Sequence, residues 1–175
     1  VQTCALPIYD MLSLSQIGNA LSDSGIKFDI VGFDACLMGT IETAYMLEPY
    51  ADYLVASEEY EPGTGWYYSE WLKNLSDNTS MPTVEIGKKI VEDYINGPDS
   101  SFFDSNTLSI VDLREIPYTY SKLCEIMQQE EGVLDSRYSV ISQARYNAKS
   151  FGDGEYEQID IKSYLEECGK SDTEL

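Results

Sequence analysis

Two short apolar runs, separated by one helical segment, most constrain the fold of this chain. Residues 28–33 (FDIVGF) and 52–56 (DYLVA) are rich in β-branched and aromatic side chains and have the length of buried strands. A helical pattern spans about residues 39–47 between them, and Pro49 stops it. This order predicts an α/β chain in which helices cover both faces of a largely parallel sheet, a three-layer α/β/α sandwich.

The rest of the chain continues this pattern and becomes mostly helical after about residue 112. The further predicted elements are a helix from Ser13 or Ser15 to about Leu21 that Gly25 ends, helices at about 66–75, 84–95, 117–129 and 137–149, a third strand at 107–112, and a last helix that starts near Asp160. We expect the helical second half to be a lobe packed against the sheet and not a separate domain.

The composition indicates a folded acidic protein. Of the 175 residues, 43% are hydrophobic and 14 are tyrosines, which argues against a disordered acidic chain. The net charge of −20, from 31 acidic and 11 basic residues, argues against binding to nucleic acid or to an anionic membrane. Such a charge favours basic partners, although solubility alone explains it equally well.

Cys36 is the candidate nucleophile. It follows the first predicted strand and precedes the predicted helix, where the carboxyl ends of parallel strands form active sites. A helix amino terminus at this place would stabilise a thiolate. From the residues alone, a small packing residue is the more common role for such a cysteine. The 175 residues include no histidine, which is the usual base beside a nucleophilic cysteine.

Asp34 is two residues before Cys36, so the two side chains can project from the same side of an extended segment. A carboxylate there can bind an arginine or lysine side chain, and arginine makes the stronger, bidentate contact. An aspartate just before a helix can instead cap it. The residues leave the two interpretations even.

The other cysteines and the acidic segment near the C-terminus give weaker signals. Cys124 lies in an apolar helical pattern and Cys168 near the end of another, so we expect both to be packing residues. No cysteine pair has zinc-ligand spacing, and no disulfide framework can be argued. The segment 152–160 (GDGEYEQID) carries oxygen ligands suited to calcium but lacks the regular spacing of a calcium-binding loop.

Three motifs resemble the clostripain family of cysteine peptidases, which has a caspase-like fold. They are GFDACLMG (32–39), ADYLVASEE (51–59) and EPGTGW (61–66), in the order in which the family has them. Weaker similarity continues through VDLREI (111–116) and DIKSYLEEC (160–168). The resemblance implies a caspase/gingipain-like fold that is incomplete at the N-terminus.

The resemblance also implies roles for five residues of the site. Cys36 would be the catalytic nucleophile, and its backbone N–H would stabilise the oxyanion. Asp34 would bind the substrate and direct cleavage to the bond after Arg, or Lys. Ser57, Glu58 and Thr64 would form the substrate wall, although some relatives have an acid near the position of Thr64. A calcium requirement is known in the family, but no residue here can be assigned to it.

In the family the catalytic histidine lies on an earlier strand, which would precede residue 1. Residues 1–8 (VQTCALPI) are unrelated to the rest of the chain and match the translation of a sequencing-library adapter. We therefore expect 1–8 to be an assembly artefact and 9–175 to be the C-terminal portion of a clostripain-like peptidase domain. The missing N-terminal half would be its partner, and a secreted or cell-surface bacterial location is implied by the resemblance.

Three functions remain open from the sequence. The first is a fragment of a cysteine endopeptidase that cleaves after Arg (or Lys), acts on peptide or protein substrates with basic residues, and is inactive without its histidine. The second is a catalytically inactive caspase-like binding module. The third is an acidic interaction domain in which Cys36 is inert.

Overall fold

The computed structural model describes residues 12–97, 106–131, 134–152 and 158–169. The helices are α1 (Leu14–Ser24), α2 (Ile41–Leu47), α3 (Tyr68–Asp77), α4 (Thr83–Asn96), α5 (Ile116–Glu131), α6 (Leu134–Asn147) and α7 (Ile161–Glu167). The strands are β1 (Phe28–Gly32), β2 (Ala51–Ala56), β3 (Ser109–Asp112), β4 (Ser150–Phe151) and β5 (Gln158–Ile159). The chain divides into two compact units, residues 1–117 and 118–175.

The first unit is built on a three-stranded sheet in the order β1-β2-β3. Strands β1 and β2 are parallel, with Gly32 opposite Val55, whereas β2 and β3 are antiparallel, with Tyr53 opposite Asp112. The α/β class is confirmed, but among the described residues the sheet is mixed and not largely parallel. The reason is the path of the chain. One helix between β1 and β2 returns it to the same end of the sheet, and two helices before β3 deliver it to the other end.

The two faces of β2 contribute to different apolar clusters. Leu54 packs in a cluster with residues of α1 and α2, whereas Val55 packs with Trp66 and with Ile90 and Tyr94 of α4. Because successive residues of a strand point to opposite faces, this division places α2 and α4 against different sides of β2. Burial of both faces explains why the strand sequence DYLVA is almost continuously apolar.

Local signals set the ends of the first two helices. Ser13 caps α1, because its Oγ accepts the N–H of Gln16 and the Gln16 side chain accepts the N–H of Ser13. Gly25 ends α1 in the left-handed conformation at φ 64°. Helix α2 begins at Ile41, later than the predicted start near residue 39, because the side chain of Thr40 caps it.

The second unit is a helical unit with a small hairpin. Its apolar cluster joins α6 and α7 and comprises Ala144, Ala148, Tyr164, Leu165 and Cys168. Strands β4 and β5 pair antiparallel, and the sequence did not predict them because each has only two residues. Asp160 caps α7 by accepting the N–H of Ser163 at 2.6 Å. The packing of this unit as a lobe on the sheet stays a prediction.

Candidate active site

Backbone hydrogen bonds connect the segment after β1 to the segment after β2. The backbone N–H groups of Phe33, Leu37 and Gly39 donate to the carbonyls of Val55, Glu59 and Ser57, at 2.9, 3.2 and 2.7 Å respectively. Cys36 lies in the turn between these bonds, at the carboxyl end of the parallel pair. This is where open α/β sheets bind their ligands.

The sulfur of Cys36 contacts the backbone of the loop after β2. The N–H of Glu61 lies 3.3 Å from Sγ and donates to it, and the Cys36 side chain is half-buried. The thiol can also donate to the carbonyl oxygen of Glu61 at 3.9 Å, so the backbone of one loop residue contacts the sulfur both as donor and as acceptor. The structure therefore places a loop N–H next to the sulfur, in place of the helix amino terminus expected from the sequence, since α2 begins only at Ile41.

The backbone around Cys36 is held in an unusual conformation. Leu37 has a φ of 62° and is the non-glycine residue of the described chain with a positive φ. Such a conformation costs on the order of 1–3 kcal/mol and persists only where the surroundings impose it. Here the Leu37–Glu59 bond fixes it. Gly39 approaches the β2 segment so closely that a Cβ would lie 2.9 Å from the carbonyl carbon of Ser57.

Asp34 presents an exposed carboxylate that the next loop orients. Its oxygens accept the backbone N–H of Trp66, at 3.1 and 3.2 Å, and Oδ2 accepts the hydroxyl of Tyr68 at 2.9 Å. Asp34 does not cap α2, since Thr40 does. The structure thus contradicts the N-cap interpretation and brings Asp34, Cys36 and the loop 61–66 together.

Gly65 makes this arrangement possible. Its φ is 70°, and a Cβ at this position would lie 2.6 Å from Oδ2 of Asp34. Only glycine has both the backbone freedom and the missing side chain that the loop needs here. Its neighbour Gly63 has open space around the equivalent position.

Glu61 is a further charged residue of the site, and the sequence did not single it out. Its side chain is only 8% exposed, and Oε1 accepts the indole N–H of Trp66 at 3.3 Å. Burial raises the pKa of Glu61 from 4.5 to about 8; the Trp66 hydrogen bond lowers it, and the charge of Asp34 raises it. Nothing in the sequence distinguishes Glu61 from the neighbouring Glu58 and Glu59 as the buried one.

The predicted substrate wall is divided between buried and exposed positions. The Ser57 side chain is fully buried, where its Oγ accepts the N–H of Glu59 at 3.0 Å and lies 3.1 Å from Oγ1 of Thr107. Glu58 is half-buried and donates its N–H to the same Thr107 oxygen, while Thr64 is exposed. Substrate contacts by Ser57, Glu58 and Thr64 stay predictions.

The described residues contain neither a cluster of metal-binding side chains nor a helix that could span a membrane. Within residues 12–97, 106–131, 134–152 and 158–169, no group of three or more Cys, Asp or Glu side chains could hold a metal ion. Most of the acidic segment 152–160 lies outside the described residues, so a calcium site there stays a prediction. In the same described part of the chain, no helix is both long and apolar enough to cross a membrane.

The structure thus places a thiol and an oriented carboxylate together at the carboxyl end of a parallel strand pair, where α/β proteins bind their ligands. Residues 7–172 match the family model of the clostripain family. The chain therefore belongs to the clostripain family, whose members are cysteine proteases. No curated protein sequence matches it.

Solved structures of cysteine proteases share the fold. A clostripain from Bacteroides thetaiotaomicron in complex with the peptide inhibitor BTN-VLTK-AOMK is 16% identical, with a TM-score of 0.62 over 97% of this chain and 70% of that one. A secreted C11 protease of the same species, iotapain, is 20% identical, with a TM-score of 0.62 over 88% and 40%. A B. fragilis cysteine protease is 20% identical, with a TM-score of 0.53 over 64% and 48%.

The similarity to these structures shows the fold, and the coverage shows what share of each protease this chain spans. The chain spans 48%, 70% and 40% of the lengths of the B. fragilis protease, the clostripain and iotapain. The activity of a whole protease of this family is therefore a proposal for this chain.

Proposed function

We propose that this protein acts as a cysteine endopeptidase that cleaves after Arg or Lys, with Cys36 as the nucleophile. The observation that carries the proposal is the pairing of Cys36 and Asp34 at one edge of the sheet. The thiol accepts the N–H of Glu61, and the exposed carboxylate two residues earlier is oriented by Trp66 and Tyr68. A reactive group and a binding group for a cation are thus close together.

In the proposed reaction the Cys36 thiolate attacks the carbonyl carbon of the scissile bond. The carbon–sulfur bond forms, the carbon–nitrogen bond breaks, and the amine leaves with a proton; water then hydrolyses the thioester and regenerates the thiol. The backbone N–H of Cys36 is suited to stabilise the oxyanion of the tetrahedral intermediate. The fixed turn at Leu37 would keep both groups in place before the substrate arrives.

Specificity would come from Asp34. A guanidinium or an ammonium group matches an exposed carboxylate, and the bidentate fork of arginine makes the stronger contact. The hydrogen bonds from Trp66 and Tyr68 fix the direction of the carboxylate. The clostripain from Bacteroides thetaiotaomicron binds a peptide inhibitor, BTN-VLTK-AOMK, whose peptide part ends in lysine, which supports a basic residue at this position.

The base would come from outside these 175 residues, because none of them is histidine. We propose that a preceding segment supplies a His-Gly strand and completes a three-layer, largely parallel domain. The placement of α2 and α4 on different sides of β2 supports the layered arrangement. The 175 residues by themselves are expected to be inactive, and the complete protein is expected to be secreted, as iotapain is.

The missing histidine also favours a second function, an inactive binding module that retains the fold. Reading the source DNA upstream of the Tyr9 codon distinguishes the two. A strand that ends in His-Gly supports the peptidase, whereas a natural start without histidine supports the binding module.

The test of activity uses the complete protein defined in that way. Peptides that differ only in Arg, Lys, Gln or Glu before the scissile bond are compared as substrates. We expect cleavage after Arg and Lys alone, and its loss in Cys36→Ala, with Cys124→Ala as the control that keeps full activity. Cleavage that survives Cys36→Ala, or that does not depend on the basic residue, would overturn the proposal.

A further inference from the structure

Glu61 and Asp34 form a pair of carboxyl groups that one residue links. Trp66 donates its backbone N–H to Asp34 and its indole N–H to Glu61, and it is itself 7% exposed. The indole is fixed from behind, because a Cβ on Gly32 would lie 2.8 Å from its Cη2 atom. The two carboxyl groups are therefore held near each other by a rigid side chain.

Among the described residues, the pair has no positive partner. None of the ion pairs in the described part of the chain includes Asp34 or Glu61. Glu61 is more than nine-tenths buried, and its Oε2 accepts no hydrogen bond from the described residues. A proton on Glu61 can be shared with the neighbouring Asp34 carboxylate, and this hydrogen bond helps to raise the Glu61 pKa. A cation is the partner that both carboxyl groups lack among the described residues.

Among the described residues, the titratable groups that face Glu61 are Cys36 and Asp34 after β1, Tyr68 of α3 and Tyr94 of α4, and none of them is a cation. Burial raises the pKa of both tyrosines, that of Tyr68 to about 12, and the charges of Asp34 and Glu61 add to this. The hydroxyl of Tyr94 is likewise buried and without a hydrogen-bond partner among the described residues. With no cation present, the surroundings therefore keep Glu61 protonated near neutral pH.

We propose, on the basis of the proposed function, that Glu61 is a second specificity-determining residue, which shares a proton with Asp34 and releases it when a basic side chain binds at Asp34. A cation near both carboxyl groups favours their charged forms, so the proton passes to solvent as the substrate enters. The N–H of Glu61 also donates to Cys36 Sγ. The residue whose protonation depends on the substrate charge is therefore also in contact with the nucleophile. Substrate binding and proton release are thus linked at one residue.

The test counts protons by calorimetry of the 175-residue chain at pH 7, in two buffers with different ionisation enthalpies. The probes are a tetrapeptide that ends in arginine and the same peptide ending in citrulline, which lacks the charge. We expect close to one proton released per arginine peptide bound by the wild type and none by Glu61→Gln. The control Glu70→Gln, which removes an exposed negative charge on α3, should release as many protons as the wild type.

The outcomes separate the two proposals. An arginine preference without proton release overturns the role of Glu61 and leaves the proposed specificity intact, whereas equal or undetectable binding of both peptides counts against the proposed specificity. A carbon-13 titration of the Glu61 carboxyl in the chain without peptide then decides the role of Glu61 separately. A midpoint near 8 is expected, and a midpoint near 4.5 would overturn it.

Discussion

Cys36 and Cys168 belong to different units of the chain and have opposite surroundings. Cys36 is half-buried, accepts a backbone N–H at Sγ and lies beside charged and polar groups. Cys168 is 5% exposed, ends α7 and packs against Ala144, Ala148 and Leu165. The same side chain is thus a candidate nucleophile in one unit and a small apolar packing residue in the other. The residue type alone does not decide between these roles; the loop that closes over the thiol does.

The largest expected difference between the two cysteines is their rate of alkylation. In the native chain we expect iodoacetamide to modify Cys36 about 100-fold faster than Cys168, because a hydrogen-bonded, accessible thiol is more reactive than a buried one. Peptide mapping by mass spectrometry after short exposures measures both rates. In 6 M guanidinium chloride the difference should disappear. Equal rates in the native chain would refute the comparison.

The second prediction concerns the loop that holds the carboxylate of Asp34. Gly65→Ala should lower the free energy of unfolding by about 2–3 kcal/mol, because the new Cβ meets Asp34 and the left-handed φ disfavours alanine. Gly63→Ala is the matched control and should change it by less than about 0.5 kcal/mol. Urea unfolding of the three proteins gives both values. Similar effects at the two glycines would show that the loop does not pack on Asp34.

The third prediction uses pH. The pKa of the Glu61 carboxyl is raised from 4.5 in the unfolded chain to about 8 in the folded one, so the folded state binds the extra proton. Its contribution to stability is full below pH 4.5 and is lost as the pH rises towards 8. The variant Glu61→Gln keeps the Trp66 hydrogen bond. Between pH 5 and pH 8, we expect its free energy of unfolding to fall by about 1–3 kcal/mol less than that of the wild type. Urea midpoints at several pH values measure this, and parallel curves would contradict it.

The smallest effect is expected in the second unit. Cys168→Ser places a hydroxyl group in an apolar cluster and should cost about 1–2 kcal/mol, whereas Cys124→Ser, at a half-buried position, should cost less. Thermal unfolding of both variants gives the comparison. If Cys168→Ser is as harmless as Cys124→Ser, the packing role of Cys168 is wrong.

The sequence predicted those features that depend on local pattern. Strands β1 to β3, the helices and the cap of α1 followed from apolar runs and from residues such as Ser13 and Gly25, whose effects act within a few positions. The direction of β3 did not follow, because it depends on the path of two helices. The burial of Glu61 did not follow either, because it depends on a loop that folds back so that the indole of Trp66 meets the carboxyl.

In the candidate site, too, some features follow from local sequence and others depend on contacts between distant segments. The resemblance to the clostripain family implied a nucleophile at Cys36, but not that Glu61 donates its N–H to the sulfur across 25 residues of sequence. For Asp34 the sequence left two interpretations even. The structure decides against the helix cap, because Thr40 caps α2 and Asp34 accepts hydrogen bonds from Trp66 and Tyr68. Contacts between two loops are set by the sheet that brings them together, and no single motif contains them.

In the proposed function, Cys36 is a nucleophile whose target is chosen by Asp34. This pairing is best tested by the site of covalent labelling in the complete protein by a peptide acyloxymethyl ketone that ends in lysine or arginine. We expect one label per molecule, on Cys36, with labelling slowed at least about 100-fold in Asp34→Asn by loss of the charge contact. Labelling of Cys124 or Cys168 at a similar rate, or labelling of Cys36 that does not depend on Asp34, would contradict it.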